Sequence, residues 1–490
     1  MRCGIAVCLL AVLCGCNPAP KYTRPPTPAP AAFKESAGWV VAKPGDDKIR
    51  SKWWEIYNDP QLNALEEQVQ ISNQTIKVAE ANFRGSRALV AEARSALFPA
   101  LTGSGSYTNS RFSSTARTAA VIPGANSGTT GFSGSSSLVN TFSLPFDLSY
   151  TVDLWHRVRN TIAADAFQAQ ASAADVATAL LSTQAELAHD YFEVRALDTQ
   201  RAILRDTLEN YRRSLDLTKT LYKAGLDSDE EVAQAQTQLD IATAQATDLG
   251  VARAQFEHAI AMLTGKPPAE FTLAVAPFVP KPPAVPVAVP SELLQRRPDI
   301  AAAERHVAAA NAQIGIARAA YYPNLLLNAT GGLETAHFTQ WFNWPSRFWS
   351  VGPQLAETLF DAGARRALNQ QVRASYDAAV ASYRQTVLGA FQATEDNLSA
   401  LRILAQEAEQ QHTAVASSSH YLDLSMTRFR AGVDSYLNVI TAQNAVLTGR
   451  ETEVQIALRR MTASVSLVMA LGGGWDDTQL PQMKDLLSKR

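Results

Sequence analysis

Cysteine is absent from this chain of 490 residues after position 16: all four, Cys3, Cys8, Cys14 and Cys16, lie in the leader. A mature body without thiols fits export into an oxidising compartment, with no disulfide framework to hold it. A formal net charge of −2 gives no electrostatic reason to expect nucleic acid as a partner. No stretch of eighteen apolar residues follows the leader, which excludes a membrane-crossing helix and leaves only a closed β-barrel for any crossing. Enzyme constellations are missing as well. There is no His-Glu-x-x-His, no Walker loop and no Gly-x-Ser-x-Gly. The seven histidines are scattered, and His189 and His258 read as helix-surface residues, not metal ligands. No enzyme activity, metal or free cofactor is expected.

Proline is the most informative absence. None occurs between Pro145 and Pro267, or between Pro353 and Pro481. Because proline ends or kinks helices, both runs have room for very long ones. Each run contains the same short motif, Leu221-Tyr-Lys-Ala-Gly-Leu-Asp-Ser228 in the first and Arg428-Phe-Arg-Ala-Gly-Val-Asp-Ser435 in the second. A glycine followed by Asp-Ser supplies a helix stop and a new N-cap, so each run predicts two helices meeting at a tight tip, at 223–228 and 430–435. Two such hairpins mark an internal duplication.

Ahead of the duplication, Arg2 precedes a mostly apolar run from Ile5 to Leu13. About nine helical residues cover only ~14 Å, too short for a bilayer, so residues 1–15 read as a signal peptide. The run ends in Leu13-Cys14-Gly15-Cys16, which resembles a bacterial lipobox. That resemblance implies that Cys16 becomes the mature N-terminus, carrying N-acyl and S-diacylglycerol groups. The alternative is a plain secretory signal with accidental cysteines. Asn17, in place of Asp, is compatible with outer-membrane sorting. Residues 16–52 are rich in proline and predict an extended tether to that anchor.

The first repeat spans 53–265. Asp59 and Pro60 suit the N-cap and first position of a helix that should run to about Leu97, where Phe98-Pro99 stops it. Two strands are expected within about 101–153. In the second, Phe142, Leu144, Phe146, Leu148, Tyr150 and Val152 alternate with mostly polar residues. A transmembrane strand alternates this way, and so does a half-buried soluble one. Pro145 is expected at an edge or bulge, and Ser113 to Asn140 as a surface loop. From Arg157 to Tyr222, residues such as Leu187, Tyr191, Val194, Leu204 and Tyr211 follow coiled-coil spacings over a predicted ~100 Å of helix. A second helix follows the tip, from Ser228 to Leu263, with Asp229, Glu230 and Glu231 as favourable charges at its start.

A proline-rich linker, 266–297, leads to the second repeat, 298–471. A helix from Pro298 to about Ala320 precedes two strands within about 324–360. The cluster Trp341, Phe342, Trp344, Phe348 and Trp349 reads either as ordinary packing or as an interfacial girdle. A long helix from about Ala362, the second tip and a last helix to about Leu471 complete the copy. Residues 472–490 form a tail. Four strands per chain cannot close a barrel, and open edges cannot face lipid, so a barrel has to be shared between copies. A dimer of eight strands or a trimer of twelve satisfies closed symmetry, and only twelve leave a water-filled lumen.

The residues that decide among families are Trp53-Trp54 with Asn58-Asp59-Pro60-Gln61-Leu62, and Leu293-Leu294-Gln295-Arg296-Arg297-Pro298-Asp299-Ile300. Ala319-Ala320-Tyr321-Tyr322-Pro323, Leu359-Phe360-Asp361-Ala362-Gly363 and the two tips add to them. Together they resemble the outer-membrane efflux protein (TolC) family, in its lipoprotein branch serving resistance-nodulation-division (RND) pumps. The resemblance covers nearly the whole chain. It implies a mainly α fold with a membrane β-barrel part: a homotrimer whose twelve-stranded barrel, in outer-membrane lipid, continues as a long periplasmic helical coiled-coil barrel. It also implies a periplasmic adaptor and an inner-membrane RND-type pump as partners, docked at Lys223, Gly225, Asp227, Ser228, Arg430, Gly432, Asp434 and Ser435. The bland alternative is that Gly225 and Gly432 merely permit a turn.

Two departures stand out. Leu154-Trp155-His156-Arg157 replaces the family's Leu-Phe-Gly-Arg, which predicts a less sharp strand-to-helix turn. At the closed tip, Leu437 keeps an apolar ring, while Thr441 stands where relatives carry an acid and Asn438 is likewise uncharged. The function implied is a passive duct, gated at the tip, for drugs or other toxic small molecules. A duct for protein secretion or metal ions, and a structural coiled-coil lipoprotein, are the alternatives.

Overall fold

The structure is a computed structural model that describes residues 17–27, 30, 32–35, 52–111, 138–277, 282–283 and 295–488. Cys16, the signal peptide and most of the 113–140 loop lie outside them. A short 3-10 turn, Trp53–Tyr57, leads into helix α1, Pro60–Ser72, capped by the Asp59 carboxylate, which accepts from Gln61 N and Leu62 N. The expected single helix is broken here. At Asn73 the backbone is extended, and the Asn73 side chain caps α2, Gln74–Ser95, by accepting from Thr75 N and Ile76 N. Its amide also donates to Leu263 O at 2.9 Å, so a distant helix end sets the break.

Strands β1, Ala100–Gly103, and β2, Ser106–Arg111, lie end to end against β3, Leu138–Val152, in one continuous register. Helix α3, Arg157–Lys223, is 67 residues long and α4, Asp229–Leu263, is 35. The second copy follows with α5, Pro298–Ala319, and strands β4, Asn324–Thr335, and β5, Arg347–Ala356. Helices α6, Ala364–Arg430, and α7, Tyr436–Ala470, repeat the 67 and 35 residues of the first hairpin. A short helix α8, Met483–Leu487, closes the described chain. Beneath the sheet, α2, α3, α5 and α6 pack side by side as a wall, and the hairpins extend from it.

The antiparallel sheet is four strands wide, in the order β1/β2, β3, β4, β5. Its register sorts side chains by polarity. Phe146, Gly331 and Trp349 stand in one row, as do Leu148, Ala329 and Val351, then Tyr150, Leu327 and Pro353, then Val152, Leu325 and Leu355. The alternate rows are mostly polar, Asp147 with Thr330 and Ser350, and Ser149 with Asn328 and Gly352, though Phe348 and Leu326 share that face. Thr330 Oγ1 donates to Asp147 Oδ1 at 2.6 Å within that face. One side of the sheet is thus a continuous apolar surface with Trp349, Val351 and Leu355 exposed; the other is mostly hydrogen-bonding. The aromatic cluster sits at the rim away from the helices, where Trp341 touches Phe142 with ring centroids 5.5 Å apart and Trp344 and Phe342 are exposed.

Pro145 corrects the expectation of an edge. It pairs with Gly332 on one side and faces Ser104 on the other, inside the sheet. Its carbonyl accepts from Ser104 N at 3.1 Å, so its missing N–H falls on that side, and there the ladder lapses between β1 and β2. The β4 side needs no donor from it. Gly332 fits that side because any Cβ would collide with the Leu144 carbonyl.

The strand-to-helix turn at Leu154–Arg157 is sharp, contrary to expectation. His156 adopts φ +56°, the conformation that glycine would supply, and Asp153 caps α3 by accepting from Val158 N and Arg159 N. Trp155 holds the turn, stacking on Tyr322 at 4.6 Å and donating from Nε1 to Pro323 O. The second copy solves the same turn with Ala362 and Gly363 at positive φ and Asp361 as the cap.

The leader is a docked strap where it is described, not a free tether. Asn160 donates to Asn17 Oδ1, Arg318 to Pro18 O and Asn311 to Pro20 O. Tyr22 donates to Glu304, and Glu35 pairs with Arg402. Further down, Trp53 and Trp54 are both 1% exposed and anchor the main core with Tyr191, Phe192 and Leu187. An ionic staple closes it: Asp198 accepts from Arg195, Arg253 Nε and Ala276 N, while Arg195 reaches Ala274 O and Gln61. This pins the segment after α4 to the waist of the long helix.

His258 is exposed as read, but His189 is half-buried and meets Ser466 of α7 at 3.3 Å; burial lowers its pKa. Asp190, beside it, is pushed up to about 6, first by burial and then by Glu186 and Glu193. The folded chain therefore holds that proton more tightly than the unfolded one, so this group costs stability as pH rises from 3.8 through about 6. Asp190→Asn should raise the thermal unfolding temperature at pH 7.5 and leave it unchanged at pH 3, read by circular dichroism.

Candidate functional site: the paired helical tips

Both tips are built by the same backbone device. Gly225 has φ +76° and Gly432 φ +70°. Leu226 N donates to Leu221 O and Gly225 N to Tyr222 O; in the second copy Val433 N donates to Arg428 O and Gly432 N to Phe429 O. These are the two bonds of a Schellman stop, and the left-handed residue between them favours glycine. Ser228 then caps α4 by accepting from Glu231 N at 3.3 Å. Ser435 stands in the same place but makes no side-chain cap bond.

The two tips are zipped to one another. Tyr436, fully buried, packs on Phe429 at 5.3 Å in a cluster with Leu215, Ala235, Val439 and Ile440. Its backbone N–H donates across the gap to Glu231 at 3.4 Å. Behind it, Gln443 donates to Ser214 at 3.2 Å and Tyr211 to Asn444 at 3.3 Å, joining α7 to α3. The expected gate residues share the opposite, exposed face of α7. Leu437 is 56% exposed, and Asn438 and Thr441 are exposed beside it. Thr441 spends its hydroxyl proton on Leu437 O at 2.9 Å, so it presents a neutral acceptor and a methyl group.

The charged residues expected to dock divide into two classes. Lys223 and Arg430 are exposed. Asp434 is not a bare charge: Arg428 donates to it at 2.6 and 3.3 Å, and that bond, chiefly, lowers its pKa. Asp227 is half-buried, with Oδ2 enclosed. Sequence reasoning missed Arg428 as the partner of Asp434 and missed Leu226 and Val433, which are 76% and 64% exposed at the two apices. The signal was there, since an aliphatic residue follows both glycines. Among the described residues no group of His, Cys, Asp or Glu could hold a metal ion, and no helix is long and apolar enough to cross a membrane.

The model of the outer membrane efflux protein family matches two stretches of the chain, residues 65–266 and 289–473. The chain belongs to that family. Each matched stretch contains one hairpin and its tip, as the duplication requires. Among its relatives, the probable efflux pump outer membrane protein TtgC of Pseudomonas putida is 30% identical over 471 residues, 95% of this chain and 94% of that one. The pyoverdine export outer membrane protein OpmQ of Pseudomonas aeruginosa is 30% identical over 475 residues, 96% of each. The solved outer-membrane channel OprN superposes with a TM-score of 0.85 at 29% identity, over 94% of this chain and all of that one. The family is one of outer-membrane channels, and this chain has their fold at full length.

Proposed function

We infer that this chain is the outer-membrane duct of a tripartite efflux system, working as a homotrimer and anchored by lipid on Cys16. The observation that carries the reading is the sheet, apolar on one face, mostly polar on the other and, among the described residues, unpaired at both edges. Left open in lipid, those edges would strand backbone donors and acceptors. Three copies joined edge to edge make twelve strands, which turn the apolar rows to lipid and leave the rows of Asp147 and Ser149 to line water. The helical wall continues the lumen into the periplasm. Relatives named for efflux and for pyoverdine export favour small organic cargo, passed on by an inner-membrane pump and received from a periplasmic adaptor at the tips.

Lipidation of Cys16 draws support from its neighbours in sequence. Asn17 and Pro18 are bound to Asn160 and Arg318, within one helical turn of the strand junctions. The start of the described strap thus lies at the level where the helices meet the sheet, which suits a lipid anchor ahead of it. Purified protein in planar bilayers should give discrete ion-conducting steps. Protein that inserts yet never conducts would contradict the duct.

At the gate, three copies of Thr441 make a neutral ring. Thr441→Asp should raise the preference for potassium over chloride, measured as a shift in reversal potential across a salt gradient. Identical selectivity in the two proteins would sink the proposal of a neutral gate.

A further inference from the structure

We propose that an arginine-lined groove just beneath the sheet binds the phosphate headgroup of an anionic phospholipid. The proposal rests on the reading that the sheet lies in the outer membrane. The groove, about 400 Å³, runs between the upper half of α2 and α8, and its walls include Arg84, Arg87, Arg94, Phe98 and Leu486. The three arginines stand on one face of α2, three and seven residues apart. No carboxylate lines the groove, and among the described residues no ion pair or hydrogen bond engages the three guanidinium groups; Arg87 merely lies over the Phe83 ring at 5.9 Å. Three like charges held together without a counter-charge favour an anion between them. Guanidinium forks match phosphate oxygens in pairs.

Position names the source of the phosphate. Helix α2 ends at Ser95 and β1 begins at Ala100, so Phe98, 62% exposed, marks the crossing into the sheet. At helical rise Arg94 lies ~6 Å below it and Arg87 ~16 Å, so Arg94 comes first within reach of a headgroup at the leaflet surface. The groove also opens on a defined side of the wall. Gln170 donates to Pro481 O in the tail that leads to α8, and Arg305 bridges Gln170 to Glu304, which holds Tyr22 of the strap. Groove, tail and the described part of the strap are thus linked along one face of the wall. A lipid headgroup of the periplasm-facing leaflet can enter there with its chains passing over Phe98 toward Leu101 and Leu148, which pair on the apolar rows. A zwitterionic headgroup adds an ammonium that three arginines repel, so the site selects net negative charge.

The test uses full-length protein in nanodiscs of phosphatidylcholine with a minority of phosphatidylglycerol, followed by native mass spectrometry of retained lipid. Phosphatidylglycerol should be enriched over its bulk fraction by about fivefold or more, given the attraction of clustered arginines near a membrane surface. The triple variant R84Q/R87Q/R94Q should fall to the bulk ratio while keeping assembly and conductance, and the lysine triple variant should retain most of the enrichment. Wild-type protein that conducts without enrichment, or a glutamine variant that stays enriched, overturns the proposal. Loss of assembly by the glutamine variant in lipid-free detergent also overturns it, by placing a second copy of the chain in the groove. Wild-type protein that neither inserts nor conducts fails at the duct reading itself.

Discussion

Replacing Gly432 with tryptophan should abolish efflux while leaving the protein assembled in the outer membrane. The glycine sits at φ +70° with nothing within 4 Å of where a Cβ would stand, so the indole has space but a strained backbone. That strain costs roughly 1–2 kcal/mol, small beside the packing of two hairpins behind the tip. Folding therefore survives. Docking should not, because on the proposed reading the apex around Arg430, Gly432 and Val433 is the surface offered to an adaptor, and a bulky ring there would prevent close approach. Susceptibility of a complemented deletion strain should match that of the empty strain, with heat-resistant oligomer and membrane level unchanged. A variant that pumps normally would count against docking at this tip.

Removing the Asp198 carboxylate should be the most damaging single change to stability. Asp198 is fully buried and Arg195 only 3% exposed; in Asp198→Ala Arg195 loses its counter-charge, while Arg253 keeps only Glu257. Breaking one partner of a buried ion pair typically costs about 3–5 kcal/mol, since the remaining charge stays desolvated. The backbone N–H of Ala276 loses its acceptor too, so the segment after α4 should detach from the long helix. Heat and denaturant resistance should fall sharply, and proteolysis near Phe271 to Ala276 should rise. Asp198→Asn, which keeps an acceptor but not the charge, should lie between the two.

The long hairpins and their tips are legible in the sequence because their signals are local. A proline-free run, one glycine and an Asp-Ser pair specify a stop and a restart without help from distant residues. Asp59, Asp153 and Asp361 act at the same short range, although only Asp59 stands directly before a proline that marks it as a cap. The break at Asn73 is not legible, because Ser72-Asn73-Gln74 looks like an exposed helical face until Leu263 O arrives to bind the amide. Pro145 misleads for a geometric reason: a proline in a central strand is tolerated where the partner ladder lapses opposite its missing donor. The ionic staple escapes because Arg195 and Asp198 resemble a surface i,i+3 pair, and its other members come from more than fifty residues away. At the site, helical spacing puts Leu437 and Thr441 one turn apart, but only the family resemblance gives them a gate role. The lock between Arg428 and Asp434 depends on the shape of the turn between them.

On the proposed reading, three chains of four strands each share one barrel with a water-filled lumen. Native mass spectrometry of the full-length protein, released from nanodiscs in which it conducts ions, tests this directly. A particle of three chains is the expected result. A conducting particle of one or two chains would contradict it, because four strands cannot close in lipid and eight leave no water-filled lumen.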